Sequence, residues 1–357
     1  MSHSNETSCS TGDSPVVDAV ITWVDGSDPN HAQRLRQFFN GIEGEGIEGE
    51  RPASTRFANT GEIDYCVVSI LKFAPWIRKI FIVTDRQTPE IVNGISKTPY
   101  ASKVKIIDHQ EIFKGYESYL PTFNSRSIET MLWRIPGISE RFIYLNDDFC
   151  LIQPVSHNDF FRGEKVVLRG FWRRPLKERS SLSYKLKNFL FFLKLRKNRP
   201  YFDMHVAGQE LSAVTAGLRR KYLWIGHTPH PWLRSTTEQF FGENPGLFER
   251  NMSYKLRSPN QVLCHYLTSS LEIKNDNAII DNSLSTLVFN KNDRSLSSVE
   301  TKIKLAEQDK SVAFVCVQGS VDPAKRDAIY SWLDARVGSI ADLLKDASSA
   351  KPVGHQP

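Results

Sequence analysis

The sequence contains little cysteine, no long apolar run and no internal repeat. Its five cysteines among 357 residues are widely spaced, the count is odd, and no CxxC pair occurs. This spacing predicts reduced thiols in a cytosolic protein and argues against a structural zinc site. No apolar run reaches the roughly 18 residues that a membrane-spanning helix needs. The polar stretch 1–15 lacks the apolar core of a signal peptide, so we expect a disordered tail there.

The chain does contain enough apolar residues for a large core, together with an excess of positive charge. Hydrophobic residues make up 40% of the chain and aromatic residues 11%, which suits two domains or one large α/β unit with insertions. The net charge is +6 and the pI is near 8.9. A mildly basic protein suits an anionic substrate, an anionic membrane surface or nucleic acid, and charge alone does not choose among them.

Short runs rich in valine, isoleucine and phenylalanine alternate with helix-like stretches. Four such runs are typical of buried strands, at 16–24, 79–85, 103–108 and 141–147. The stretches 62–75 and 124–137 read as helices that end at proline, and Asn124 or Ser125 would cap the second. This rhythm predicts an α/β fold with a mainly parallel sheet flanked by helices. Residues 31–60 break the rhythm and contain a glycine-rich acidic stretch that reads as an exposed loop.

One segment, residues 173–199, carries ten basic residues and a single acid, Glu178. Within it, "YKLKNFLFFLKLRK" interleaves leucine and phenylalanine with lysine. A helix of this kind could lie on an anionic bilayer. The alternatives are a helix whose apolar stripe packs on the core while its lysines face water, and a surface for an acidic polymer or nucleic acid.

Two carboxylates interrupt the most hydrophobic pattern of the chain, "FIYLNDDFCLI" at residues 142–152. Asn146, Asp147 and Asp148 follow a predicted buried strand, at the sheet edge where ligands bind in open α/β folds. Burying two unpartnered carboxylates is costly, so a divalent cation or a hydrogen-bonded sugar would supply the missing partner. Hard oxygen ligands suit Mg²⁺ or Mn²⁺, in particular when a diphosphate completes the coordination. A strand-end turn with solvated carboxylates is the alternative.

Three further stretches carry side chains suited to a binding site. In "DAVITWVDGSDPN", Trp23 could stack on a planar base and a nearby aspartate could accept a hydrogen bond from a uracil or ribose, whereas core packing is the plainer role for Trp23. In "GHTPHPWLR", His227 and His230 are candidate general bases, and the prolines beside them prevent a regular helix. In "YKLRSPNQ", the Arg257 guanidinium could clamp a phosphate. Each stretch, taken alone, also fits an ordinary structural role.

Together these stretches resemble the Stealth proteins, a family of sugar-1-phosphate transferases. The family includes bacterial polymerases of phosphodiester-linked capsules and the animal lysosomal-enzyme N-acetylglucosamine-1-phosphotransferase. The first family block is matched by "DAVITWVDGSD", and the second by "RFANTGEIDYCVVSILKFAPWIRKIFIVTDRQTP" with its continuation "LPTFNSRSIETMLWRIPGISERFIYLNDDF". The third block, H-x-P-H, is matched by residues 227–230. The resemblance spans roughly residues 18–320.

Three positions depart from the family pattern. Thr60-Gly61 stands where a charged pair usually precedes the glutamate of the second block. Leu256 stands where phenylalanine or valine usually precedes the arginine. Gln318-Gly319 stands where Asn-Asp usually closes the last block, so the resemblance implies no role for that pair in this chain.

The resemblance implies a set of site residues, each at a position that matches a family motif. The implied contacts are Asp18 and Trp23 for the uridine nucleotide, Asn146 and Asp147 for the sugar and diphosphate, and His227 and Arg257 for the donor. Arg56, Glu62, His230 and Asn260 complete the expected substrate-binding set. His227, Asp147 and Arg257 would be catalytic. Asp147 and Asp148 would hold a divalent cation, for which we expect Mg²⁺.

The implied reaction is the attack of a glycan hydroxyl on the β-phosphorus of a UDP-sugar, which releases UMP and forms a phosphodiester. We expect UDP-N-acetylhexosamine as the donor and a capsular or surface polysaccharide as the acceptor, with no nucleic acid partner. A conventional metal-dependent glycosyltransferase that releases UDP and a non-catalytic scaffold for capsule assembly are the alternatives.

The resemblance also implies a nucleotide-sugar transferase core of the GT-A or Rossmann-like type. The expected organisation is a disordered tail at 1–15, the α/β core at 16–170, a basic helical insertion at 171–225, the remainder of the catalytic domain at 226–345 and a disordered tail at 346–357. We expect a cytoplasmic protein, and residues 173–199 suggest peripheral contact with the inner face of the cell membrane.

Overall fold

The computed structural model describes residues 15–41, 59–175, 204–319 and 321–349. The strands are β1 (Val17–Thr22), β2 (Ile80–Thr84), β3 (Val104–Asp108), β4 (Arg141–Asn146), β5 (Phe149–Leu151), β6 (Phe161–Arg162), β7 (Lys165–Leu168), β8 (Phe171–Arg173), β9 (Tyr222–Trp224), β10 (His230–Leu233), β11 (Ala278–Ile280), β12 (Ser285–Phe289) and β13 (Val312–Val317). The helices are α1 (Pro29–Gly41), α2 (Glu62–Phe73), α3 (Glu90–Ile95), α4 (His109–Ile112), α5 (Ser125–Glu129), α6 (Met204–Ala216), α7 (Arg234–Glu243), α8 (Pro245–Ser253), α9 (Cys264–Lys274), α10 (Leu296–Gln308), α11 (Pro323–Arg336) and α12 (Ile340–Ser349).

A five-stranded sheet of order β10-β4-β1-β2-β3 forms the centre of the fold. β1 pairs in parallel with β2 and β4, and β2 pairs in parallel with β3. Only β10 in this sheet runs antiparallel, along the edge of β4. The valine and isoleucine runs of β1 and β2 are buried almost throughout, as expected for strands covered on both faces. The prediction of an α/β fold with a mainly parallel sheet is confirmed.

The two faces of the sheet carry two separate apolar clusters. On one face Ala19, Ile21 and Ile143 pack with the buried side of α2. On the other face Val20 and Phe142 pack in a cluster that also contains residues of β10, α7, α8 and α9. Because both faces of the sheet are covered, ligands can reach the sheet only at the strand ends and at the loops beyond them.

A smaller sheet of order β12-β13-β5 continues from the central one. Two residues separate the end of β4 from the start of β5, which pairs antiparallel with β13. The intervening residues, Asp147 and Asp148, therefore lie where the chain leaves one sheet and enters the next. Two further small sheets are β11-β7-β6 and the ribbon β8-β9.

Several predicted features differ from the structure or lie outside it. α1 occupies part of the expected loop 31–60, because the Asp28 side chain accepts hydrogen bonds from the backbone N–H groups of Asn30 and His31 and caps a helix there. The helix expected at 124–137 is shorter, since α5 is capped by Asn124 and gives way to a 3₁₀ turn at Leu132–Arg134. α12 continues to Ser349, past the expected boundary at 345.

Other expectations fall on residues that the structure does not describe. The predicted basic helix at 173–199 lies outside the described residues from 176 onward, as does Arg56. The four described cysteines are free and buried. Within the described part of the chain, no helix combines the length and apolarity needed to cross a membrane.

Candidate active site

Polar side chains collect at the carboxyl-terminal edge of the central sheet. Because β1, β2 and β4 run parallel, the residues that follow them meet at this edge, and antiparallel β10 begins there. Four buried polar atoms at this edge have no hydrogen-bond partner among the described residues: Trp23 Nε1, Thr84 Oγ1, Asp148 Oδ1 and Thr228 Oγ1. Buried polar atoms are nearly always paired in native proteins, so such a group is expected where a polar ligand binds.

Three carboxylates, Glu62, Asp147 and Asp148, form what we name the acidic corner. Burial, together with the charges of Asp148 and Glu62, raises the pKa of Asp147 well above its usual range. Burial raises the pKa of Asp148 to about 6, and the charge of Glu62 adds to this effect. The Cys316 thiol lies 3.4 Å from Oδ2 of Asp148 and donates to it, which offsets the rise only in part. The corner therefore holds more negative charge than its surroundings compensate.

The position of Glu62 depends on the two residues that depart from the family pattern. Gly61 has a φ of 93°, in the left-handed region, and starts α2 directly before Glu62. The backbone N–H of Thr60 donates to Oε2 of Glu62 at 2.8 Å, and the Thr60 hydroxyl donates to Oε1. The same hydroxyl lies 3.0 Å from the Tyr330 hydroxyl in α11. Thr60 and Gly61 thus hold the Glu62 carboxylate in the corner.

The acidic corner suits a divalent cation on the evidence of its charge and its unpaired atom. Oδ1 of Asp148 is buried without a partner, and the repulsion that raises both aspartate pKa values would be relieved by a nearby cation. Among the described residues, no three His, Cys, Asp or Glu side chains group into a metal site. A cation held by Asp147 and Asp148 would therefore take its other ligands from a bound diphosphate and from water.

Four histidines, His205, His227, His230 and His265, form a second group that we name the histidine cluster. The rings of His205 and His227 stack with 5.7 Å between centroids and an interplanar angle of 5°. The rings of His230 and His265 lie 4.5 Å apart. Tyr266 connects the two pairs, because its hydroxyl lies 3.0 Å from Nε2 of His205 and its ring lies 5.2 Å from His230.

His230 is buried within this cluster. Burial, followed by the charges of His265, His205 and His227, holds the pKa of His230 well below its usual range. Its ring also stacks on Tyr144 of β4 at 6.4 Å. His230 is therefore neutral near pH 7 and packed on several sides, whereas His227 remains half-buried.

The histidine cluster continues to the predicted phosphate-binding arginine. Nδ1 of His265 lies 2.9 Å from Oε2 of Glu129. Burial alone would raise the pKa of Glu129, but His265, Arg257 and Arg126 outweigh it and the pKa is lowered. Nη2 of Arg257 donates to the Ser125 hydroxyl at 2.7 Å. An ionised Glu129 thus orients His265 and attracts Arg257 towards the cluster.

The acidic corner and the histidine cluster meet at His227. Its ring lies 6.5 Å from that of Phe149, which directly follows Asp148. Nε2 of Gln318 lies 3.0 Å from Nε2 of His227, so the side-chain amide can donate to the unprotonated imidazole nitrogen. The preceding residue, Val317, donates its backbone N–H to the carbonyl of Asp148 at 2.9 Å. The end of β13 therefore touches both groups.

The structure brings together most of the predicted site residues but not all of them. Glu62, Asn146, Asp147, His227, His230 and Arg257 belong to the two groups or lie directly beside them. Asp18 lies near the start of β1, at the opposite edge of the sheet, where its carboxylate accepts two hydrogen bonds from Arg78. Trp23 follows β1 at the correct edge but is 7% exposed and packs in an apolar cluster. Asn260 is exposed, and its backbone N–H donates to the Ser258 hydroxyl.

Several members of the site have no clear signal in the sequence. His205, Glu129 and His265 belong to no recognisable motif, each lies in a helix, and Glu129 and His265 are 136 residues apart in the chain. Gln318 was noted only as a departure. The available signal was the histidine content, since four of the nine histidines prove to share one cluster.

Comparison with known protein families matches two stretches of the chain. Residues 15–41 match Stealth protein CR1, conserved region 1. Residues 56–168 match Stealth protein CR2, conserved region 2, and this range contains the whole acidic corner. The two matched ranges together cover 140 of the 357 residues, and over these ranges the chain is similar to the Stealth proteins. The predicted resemblance is confirmed.

Several polysaccharide phosphotransferases are similar to this chain. Capsular polysaccharide phosphotransferase LcbA of Aeromonas hydrophila is 39% identical over 151 residues, which cover 42% of this chain and 40% of the relative. An exopolysaccharide phosphotransferase of Streptomyces coelicolor is 36% identical over 246 residues, covering 68% and 23%. Receptor polysaccharide phosphotransferase WefC of Streptococcus oralis is 28% identical over 260 residues, covering 69% and 75%. The chain thus spans less than half the length of the first two relatives.

Solved structures share a looser likeness with this chain. Mouse xyloside xylosyltransferase 1 aligns with a TM-score of 0.41 and 10% identity, covering 86% of this chain and 100% of the other. Galactosyltransferase LgtC, in complex with donor and acceptor sugar analogues, aligns with a TM-score of 0.37 and 9% identity, covering 90% and 84%. These values are too low to carry an argument about chemistry.

Proposed function

We propose that the protein transfers sugar-1-phosphate from a UDP-sugar to a hydroxyl of a glycan and thereby builds a phosphodiester-linked capsular or surface polysaccharide. The matches to Stealth conserved regions 1 and 2 and the similarity to polysaccharide phosphotransferases support this function. The observation that carries it is the meeting of the acidic corner, which suits a cation, with the half-buried His227 at one sheet edge.

The proposed reaction is a substitution at phosphorus. The acceptor oxygen forms a bond to the β-phosphorus, the bond from that phosphorus to the bridging oxygen breaks, and UMP leaves. The acceptor hydroxyl loses its proton to a base. The phosphoryl group then joins the sugar to the acceptor through a phosphodiester. Such a reaction asks the protein mainly to position the reactants and to neutralise phosphate charge.

His227 is the proposed base because it combines access with a fixed orientation. It is half-buried, it stacks on His205, and the Gln318 amide faces Nε2. A base must be neutral before it acts, and an amide N–H donating to Nε2 favours the neutral ring. The acceptor hydroxyl would displace this amide and pass its proton to the Nε2 lone pair. His230 has a lowered pKa but is buried among rings, so we assign it to support of the cluster.

Charge neutralisation is assigned to the two sides of the site. Arg257 stays ionised at all accessible pH and would bind a donor phosphate. Asp147 and Asp148 would hold the divalent cation, for which we propose Mg²⁺, and this ion would offset the charge of the diphosphate. Asn146, whose Oδ1 accepts from the Tyr144 hydroxyl at 2.7 Å, would contact the sugar.

The product of a donor panel tests this function. The protein is incubated with Mg²⁺, a glycan acceptor and one of several UDP-sugars, and the phosphorus NMR spectrum of the products is recorded. We expect UMP and a new phosphodiester signal, with UDP-N-acetylhexosamine as the best donor. Release of UDP would instead identify a conventional glycosyltransferase, and the absence of any nucleotide release would favour a scaffold.

A pair of histidine variants adds a control to this experiment. His227→Gln should abolish UMP release, because the proposed base is gone. His157→Gln changes another half-buried histidine, which packs on Trp76 and Phe161 away from the site, and should release UMP as the unchanged protein does. Equal activity of the two variants would overturn the role of His227.

A further inference from the structure

The ribbon β8-β9 leads directly to the candidate active site. Phe171 of β8 stands opposite Trp224 of β9, and Arg173 stands opposite Tyr222. Three residues after Trp224 the chain reaches His227. Gly170, which precedes the ribbon, has no room for a Cβ because the Trp224 carbonyl lies against it, so the two strands are held in close contact.

The ribbon exposes large aromatic side chains to water. Phe171 is 63% exposed and Trp172 is 41% exposed, whereas most aromatic residues of the described chain are buried or half-buried. The ring of Trp224 lies within 3.4 Å of the position that a Cβ on Gly226 would occupy, one residue before His227. Neighbouring exposed aromatic residues mark surfaces that bind a ligand or partner.

Cations stand directly over these rings. Nζ of Lys221 lies 4.2 Å from the centroid of the Trp172 ring. Cζ of Arg173 lies 4.1 Å from the centroid of the Trp224 ring. A ligand that contacts either ring therefore also lies close to a positive charge.

The charge of the ribbon is of one sign and is unevenly distributed along it. Its two segments, 171–174 and 219–224, contain five cations and no acidic residue. The five, all exposed, are Arg173, Arg174, Arg219, Arg220 and Lys221. In the antiparallel register they gather at the end away from His227, while Phe171 and Trp224 lie at the end towards it.

We propose that the ribbon binds the growing glycan acceptor, and that it recognises sugar rings joined by phosphodiesters. This inference rests on the proposed function, because it supplies the second substrate of the same site. Aromatic faces pack against the C–H faces of sugar rings, and the cations match the phosphate of each linkage. The aromatic end would receive the sugars next to His227, and the basic end would bind the preceding phosphates.

Binding measured without donor tests the inference. The full chain is titrated by calorimetry with a hexamer of N-acetylglucosamine joined by phosphodiesters, and separately with a neutral hexamer of the same sugar. We expect the phosphodiester hexamer to bind at least about tenfold more tightly, with an affinity that falls as salt is raised. Trp172→Ala should weaken both probes about tenfold, and Lys221→Gln combined with Arg174→Gln should weaken only the charged probe.

Two variants control for the loss of exposed apolar surface and of exposed charge elsewhere. Leu305→Ala removes a side chain that is 58% exposed in α10, and Lys97→Gln removes an exposed cation after α3. Both should bind the two hexamers like the unchanged protein. If the ribbon variants bind like these controls, or if the unchanged protein binds neither hexamer, the inference is wrong.

The same variants distinguish this inference from the proposed reaction and from a membrane-binding role of the ribbon. Hexamer binding that depends on the ribbon, without UMP release, would keep the acceptor surface and overturn the proposed reaction. UMP release, together with hexamer binding that the ribbon variants leave unchanged, would keep the proposed reaction and overturn the acceptor surface. Co-sedimentation with equimolar phosphatidylcholine and phosphatidylglycerol vesicles tests a membrane surface. Loss of vesicle binding in the ribbon variants, with hexamer binding unchanged, would overturn the glycan assignment.

Discussion

The two edges of the central sheet both hold carboxylates, but only one edge supplies them with partners. At the amino-terminal edge, Asp18 is fully buried and accepts from Arg78 at 2.9 and 2.5 Å and from the backbone N–H of Ser139 at 2.7 Å. At the carboxyl-terminal edge, Asp147 and Asp148 have raised pKa values, and one oxygen of Asp148 is unpaired among the described residues.

This difference separates two roles for an aspartate in the same sheet. The carboxylate of Asp18 is compensated by the protein itself, and it ties the start of β1 to the segments before β2 and β4. The carboxylates of Asp147 and Asp148 leave charge to be compensated by something else, which is the condition for binding a cation or a substrate. Four predictions test this comparison.

The largest expected effect is on catalysis at the carboxyl-terminal edge. Asp147→Asn should lower turnover at least about a hundredfold, because it removes charge that would position the reacting phosphate. The melting temperature should not fall, since the change relieves repulsion with Asp148 and Glu62. Steady-state UMP release and thermal unfolding measure the two effects, with the exposed Asp309→Asn as the control. Near-normal turnover in folded protein would contradict the assignment.

The opposite result is expected at the amino-terminal edge. Asp18→Asn should lower the free energy of unfolding by about 2 kcal/mol, because a buried charge partner is lost while Arg78, which is 41% exposed, can turn to water. The donor KM of the folded protein should stay within about twofold. Urea unfolding and donor titration measure this. A large rise in donor KM without loss of stability would restore Asp18 to the nucleotide site.

A smaller effect is expected where β13 joins the two groups. Gln318→Met keeps the length of the side chain but removes the amide that faces Nε2 of His227. We expect turnover to fall about tenfold, equivalent to about 1.4 kcal/mol, with little change in donor KM. Loss of a donor to the neutral ring raises the pKa of His227, so the acidic limb of the rate profile should move to higher pH. If the acidic limb of the rate profile did not move, the proposed role of the contact between Gln318 and His227 would be contradicted.

The smallest expected effect is on stability in the absence of a cation. Folding raises the pKa of Asp148 to about 6, so ionising this group lowers the free energy of unfolding. The loss begins near pH 4, grows as pH rises towards about 6, and persists at higher pH. Asp148→Asn should therefore raise the free energy of unfolding at pH 8 by an amount on the order of 1 kcal/mol, and change it little at pH 4, as urea unfolding at the two pH values would measure. Mg²⁺ should stabilise the unchanged protein at pH 8 more than this variant.

The strands of the central sheet could be predicted closely because their apolar runs are short, uninterrupted and bounded by polar residues. Each of the four predicted strands matches an observed one within one or two residues at either end. The first helix could not be read in the same way. Its signal is a single capping side chain, Asp28, within a stretch otherwise rich in turn residues.

The site could be predicted only in part, for reasons of geometry. A pair of aspartates inside an apolar run is visible in the sequence, and so is H-x-P-H. The sheet edge at which a strand residue lies is not visible in the sequence. Asp18 stands four residues before the end of β1, about 13 Å from the edge where the other residues meet. The contacts of Gln318 and Glu129 join distant segments, which no local pattern encodes.

The end of β13 has a consequence for the time at which the protein becomes competent during synthesis. Cys316 and Asp148 are 168 residues apart in the chain, and Gln318 follows two residues later. At a ribosomal rate of about 5–20 residues per second, on the order of ten to thirty seconds pass between the emergence of the acidic pair and that of the strand that borders it. Until then neither Asp148 nor His227 has its neighbour in place, so a nascent chain that already carries both should remain inactive.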